Sequence, residues 1–256
     1  MEVFLQFDTW IALLTLTFLE IVLGIDNIIF ISIATGKLPP ESRKKATKVG
    51  MFLAMFMRIG LLMGINYLIQ MKEAWFTIDL SWFSAGITGQ SLILLGGGLF
   101  LIYKSTNEIR EKVEERGEEE RELGKAATKS FQSVLLQIIM IDLVFSFDSI
   151  LTAVGMTNGV HGALYIMIAA VVISVLIMMQ FAVPVGTFVN NHPSIQILGL
   201  SFLILIGMML LTESAHLSNA LIFGSHVTPV PKGYLYFAIS FSLFVEVLNM
   251  KMTKKK

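Results

Sequence analysis

The chain has 256 residues, 55% of them hydrophobic and only 15% charged, with a mean hydropathy of +0.74. A soluble domain carries about 25% charged residues, so this balance excludes an ordinary soluble globule and points to the membrane. Nineteen basic residues match nineteen acidic ones, and no cysteine is present, which excludes disulfides, iron–sulfur clusters and thiolate metal sites.

Apolar stretches of about 20 residues predict seven membrane helices and an all-α fold. They lie near residues 10–34, 49–70, 82–103, 132–156, 162–188, 195–213 and 233–250. Loops are expected at 35–48, 71–81, 104–131, 157–161, 189–194 and 214–232. The N-terminus has no basic region before its first span and carries Glu2 and Asp8, so no cleaved signal peptide is expected. The whole chain reads as one transmembrane domain, residues 1–256.

The first span contains Glu20, Asp26 and Asn27 in the order Glu20-Ile-Val-Leu-Gly-Ile-Asp26-Asn27-Ile28. The fourth repeats the arrangement as Asp142-Leu-Val-Phe-Ser-Phe-Asp148-Ser149-Ile150. A carboxylate at the centre of a membrane helix costs about 2.5–3.5 kcal/mol on insertion scales, so residues of this kind mark a function that needs negative charge. Carboxylate, amide and hydroxyl oxygens are hard ligands, suited to Mn²⁺, Ca²⁺ or Mg²⁺. Several acids in a small space also invite protonation, which makes exchange of a metal for protons natural. Arg58, inside the second span, is the candidate charge partner.

Residues seven apart share a helix face, which aligns Glu20 with Asn27 and Asp142 with Ser149. Asp26 and Asp148 fall off that face unless the helix unwinds near Gly24 or Ser146. The motifs open two similar three-helix units, 10–103 and 132–213, with helix 233–250 appended. Because each unit has an odd number of helices, the second enters the membrane from the other side. Such inverted repeats place transporter sites near the midplane.

Sixteen of nineteen basic residues fall in the first loop, the third loop and the C-terminus. The positive-inside rule then predicts an N-terminus outside and a C-terminus in the cytoplasm. Segment 104–131 alternates Lys and Arg with a Glu run and reads as a solvated cytoplasmic helix or linker. His161, His192 and His226 fall in loops, and Glu213 with His216 forms an interfacial pair. Gly96-Gly97-Gly98 suits close helix packing, and Pro184 a kink in the fifth span.

The segment Phe18-Leu19-Glu20 through Ile28, the second motif ending Phe147-Asp148-Ser149-Ile150, and Gly97-Gly98-Leu-Phe-Leu-Ile-Tyr-Lys104 together resemble the TerC family of integral membrane proteins. The family is named for tellurium resistance. The resemblance implies a bacterial inner-membrane protein, related in architecture to LysE-type transporters, that exports Mn²⁺. It places the motif acids on Glu20, Asp26, Asp142 and Asp148, with Asn27 beside the first pair and Ser149 where a second Asn would stand.

The expectation is therefore a divalent-cation transporter and not an enzyme, with no permanently bound cofactor. Its partners are the cation, protons and the lipid bilayer, with no nucleic acid. An aspartyl membrane protease is disfavoured because each Asp has a second acid nearby and no Tyr-Asp or Gly-x-Gly-Asp pairing occurs. The competing expectation is a membrane scaffold or insertion and stress-resistance partner, docking through segment 104–131.

Overall fold

The computed structural model describes residues 7–118, 130–157, 160 and 162–253. It is dominated by helix, as the apolar composition requires, because a backbone in lipid must satisfy its own N–H and C=O groups. The long helices are α1 (Phe7–Gly36), α2 (Pro40–Met63), α4 (Gly89–Glu118), α5 (Phe131–Met156), α6 (Ala163–Asn190), α7 (Pro193–Leu217) and α8 (Lys232–Thr253), with a short α3 (Ile65–Gln70). Six of them, all but α4 and α3, are long and apolar enough to cross a membrane. In α4 the apolar run from Leu92 to Tyr103 follows Gln90 and Ser91 and precedes Lys104.

Several boundaries differ from the sequence expectation, each for a physical reason. Residues 82–103 do not form a single span, because Phe83–Thr88 is strand β2, paired antiparallel with β1 (Ala74–Asp79). Apolar side chains in that stretch had masked the alternation of a hairpin. The 214–232 segment adds β3 (Leu221–Ile222) and β4 (Ser225–His226), giving a four-stranded sheet in the order β1-β2-β3-β4. Phe223 and Gly224 both take positive φ between β3 and β4, as a two-residue hairpin turn requires. The charged 104–118 segment is a helical continuation of α4, braced by the i,i+4 pairs Lys104–Glu108 and Arg110–Glu114. The remainder of that segment, 119–129, lies outside the described residues.

The chain divides into two compact units. One comprises Met1–Tyr67 and Ala126–Asn191 and holds α1, α2, α5 and α6; within it α1 packs on α6 and α2 on α5, with further contacts of α2 on α6 and α1 on α5. Its core includes Phe30, Ile138, Phe147, Ile150 and Ile166. The other unit comprises Leu68–Lys125 and His192–Lys256 and holds the sheet, α4, α7 and α8. Its centre is the α4–α7 pair, with Leu94, Leu101, Leu200 and Leu203 fully buried. There one glycine of the Gly96-Gly97-Gly98 run makes a close approach: a Cβ on Gly98 would lie 2.7 Å from the Gly207 carbonyl oxygen, and one on Gly207 would lie 2.9 Å from the Gly98 oxygen, whereas one on Gly96 would meet nothing within 4 Å. The two backbones touch because neither residue has a side chain.

Candidate cation site

Both motif helices are continuous. No unwinding occurs at Gly24 or Ser146, the two positions where a break could have turned Asp26 and Asp148 toward the face of Glu20 and Asp142. Gly24 serves packing instead: the Met178 sulfur of α6 lies 2.2 Å from where a Cβ would stand, so the glycine makes room for the Met178 side chain in its present position. Ser146 spends its hydroxyl on the site itself.

The helical spacing sets one acid of each motif, Glu20 on α1 and Asp142 on α5, into the interior of their unit, at 6% and 5% exposure. From α2 Arg58, 4% exposed, reaches between them. Its Nη1 donates to Glu20 Oε2 at 2.6 Å, its Nη2 to Asp142 Oδ1 at 2.6 Å and its Nε to Asp142 Oδ2 at 3.3 Å. The grip on Asp142 is bidentate, the geometry in which a planar guanidinium binds carboxylate best. Ser146, one turn on from Asp142, donates to Asp142 Oδ2 at 3.0 Å. Asn27 donates to Asp142 Oδ1 at 3.4 Å from the opposite motif. Three helices are thus joined by one buried polar network.

Formal charge in the network, two carboxylates against one guanidinium, leaves one negative charge. Buried charge is tolerable only when paired and hydrogen-bonded, and Arg58 supplies most of that compensation. One acceptor of the network is left over: Asn27 Oδ1 is buried and has no hydrogen-bond partner among the described residues. Beside it opens a crevice of about 20 Å³, lined by Asn27, Arg58, Asp142, Ile31, Met51 and Met178 among others. A bare amide oxygen next to a carboxylate is a site for a water or a hard cation.

The remaining sequence-predicted residues fall into place unevenly. Asp26 lies on α1 between the paired positions, and its side chain is outside the described residues. Asp148 is half-buried on α5, off the face that carries Asp142, as six-residue spacing demands. Ser149 is buried but donates to the Ser146 carbonyl at 3.2 Å, so its hydroxyl is spent on its own helix. Ser146 was missed as a site residue; its i+4 spacing from Asp142 was the available signal. Among the described residues no three His, Cys, Asp or Glu side chains converge as a ready metal cage. His216 meets the Val227 carbonyl at 3.3 Å, and His226 lies in β4. His192 starts α7, and His161 lies outside the described residues.

A family model described as the integral membrane protein TerC family matches residues 5–256. The chain belongs to the TerC family. This TerC-family chain is 48% identical over 248 residues to a protein named UPF0053 inner membrane protein YgdQ from Escherichia coli K12, covering 97% of the chain and 95% of that relative. It is 44% identical over 247 residues to a UPF0053 protein of Haemophilus influenzae, covering 96% and 95%. It also matches UPF0053 inner membrane protein YoaE of Escherichia coli K12 at 44% identity, over 97% of the chain but 44% of that relative. No solved structure matches. Relatives named as inner membrane proteins agree with a multi-pass TerC-family membrane protein whose apolar helices cross the bilayer.

Proposed function

We propose that this TerC-family protein transports a divalent cation across the inner membrane, with Mn²⁺ exported and protons returning. The observation that carries the reading is Arg58 held at once by Glu20 and Asp142, the leading acid of each motif. The network is a receptor for positive charge built at membrane depth, and it is filled by a tethered cation. Substrate would enter at the Asn27 oxygen and the Asp142 carboxylate, with Arg58 yielding its place. Asp26 and Asp148 complete the proposed ligand set around Glu20, Asp142 and Asn27, whereas the Ser149 hydroxyl, bonded within its own helix, stands outside it. Carboxylate and amide oxygens favour Mn²⁺, Ca²⁺ or Mg²⁺ over softer metals.

We further propose seven spans, with α4 as the third, and two inverted repeats. The pairing of helices within units supports this. Exchanging α1 with α5 and α2 with α6 turns the α1–α6 contact into the α5–α2 contact, and both occur.

The test is Mn²⁺ uptake into inside-out vesicles, comparing the wild type with Asp142→Asn and Asp26→Asn. Inward flux in the wild type, lost in both variants at equal insertion, is expected. Flux that survives in both variants, or its absence from inserted wild type, overturns the proposal.

A further inference from the structure

A second and larger cavity, about 230 Å³, lies where the end of α1, the start of α2 and the end of α6 meet. Its polar lining comprises Thr35, Arg43, Lys44, Thr47, Thr187, Asn190 and Asn191. All belong to the α1, α2, α5, α6 unit. The two cations and two amides offer hydrogen-bond donors, the three threonine hydroxyls are donated to carbonyls of their own helices, and no carboxylate among the described residues lines the space. A metal cation would be repelled here, so this cavity is chemically the opposite of the crevice beside Asp142.

Several of these groups are held in place. Arg43 Nε donates to the Leu38 carbonyl at 2.8 Å, which anchors the guanidinium at the turn between α1 and α2. Thr47, only 6% exposed, donates to the Arg43 carbonyl at 3.0 Å. A Cβ on Gly36 would lie 2.5 Å from Asn190 Oδ1, so glycine lets that amide rest directly on the α1 backbone. The start of α2 adds the positive end of a 24-residue helix that has no side-chain cap.

We propose that this cavity binds a phosphate group, and that its place at the basic ends of membrane helices makes an anionic phospholipid headgroup or a free phosphate the source. Basic pockets between helices at the membrane surface take lipid phosphates in this way. The inference does not rest on the transport reading. The cavity adjoins the crevice along the same helices, since Thr47 precedes Met51 and Ala182 follows Met178 by one turn. An occupant would therefore brace the helices that line the cation site.

The experiment is native mass spectrometry of the purified full chain with phosphatidylglycerol and, separately, inorganic phosphate. Lys44→Gln removes a lining charge, and Lys45→Gln removes the same charge from the adjacent exposed position, which does not line the cavity. Loss of a surface Lys near a lipid phosphate weakens binding roughly fivefold, and Arg43→Gln with Lys44→Gln by tenfold or more. Adducts weakened by Lys44→Gln and kept by Lys45→Gln support the site, and the ligand that forms them identifies the source. Equal weakening by both variants means diffuse attraction and overturns it, as does the absence of any adduct from wild type. Arg43→Lys, which keeps the charge, should retain binding; its loss in a folded Arg43→Lys chain would overturn the role of the charge itself.

Discussion

Glu20 on α1 and Asp142 on α5 meet through a single side chain, each 2.6 Å from a different nitrogen of Arg58. Each acid buries a charge that Arg58 pairs, and Arg58 could not be buried without them. The three residues are therefore one energetic unit, and removing one member strands the others.

Arg58→Leu is expected to destabilise the protein by about 3–5 kcal/mol, the usual result of breaking a buried pair from one side. The triple variant Glu20→Gln, Arg58→Leu, Asp142→Asn removes all the charge and should recover much of the loss. Thermal unfolding in detergent compares them. A triple variant no more stable than Arg58→Leu would show that the network does not act as a unit.

Ser146 and Ser149 should separate cleanly. Ser146→Ala removes a hydrogen bond to a carboxylate, a loss of roughly 1.5–3 kcal/mol in stability, and should weaken Mn²⁺ flux by freeing Asp142 to rotate. Ser149→Ala removes only a hydroxyl bonded to its own helix and should leave flux near wild type. Vesicle uptake together with melting temperatures decides between them, and strong loss of flux in Ser149→Ala would make its hydroxyl a ligand.

Glycine substitutions test the second unit. Gly98→Ala must push α4 from α7, because its Cβ would meet a backbone oxygen at 2.7 Å, and should cost about 1–3 kcal/mol. Gly96→Ala meets nothing within 4 Å and should be neutral or stabilising by up to about 1 kcal/mol. Equal melting temperatures for the two variants would contradict the α4–α7 contact.

Orientation can be read with single cysteines, since the chain has none of its own. Lys72→Cys, ahead of β1, should react with an impermeant thiol reagent added outside intact cells. Lys251→Cys, in the last turn of α8, should react only after the membrane is opened. The reverse pattern would overturn the orientation expected from the charge distribution.

Hydropathy alone determined that the chain is a helical membrane protein, because each span must be apolar for about 20 residues whatever its neighbours do. The four motif acids were also legible, since their cost in lipid makes them conspicuous. What a linear reading could not decide were contacts between distant segments. That Arg58 serves both motifs, that Asn27 crosses to Asp142, and that Gly24 seats Met178 depend on how α1, α2, α5 and α6 pack. The hairpin of β1 and β2 escaped for a related reason: β1 falls in the expected loop at 71–81 and β2 runs directly into the apolar start of α4, and only their pairing reveals them as strands. Composition sets the solvent a segment prefers, whereas partners set the geometry and charge of a site, and partners exist only once the chain has folded.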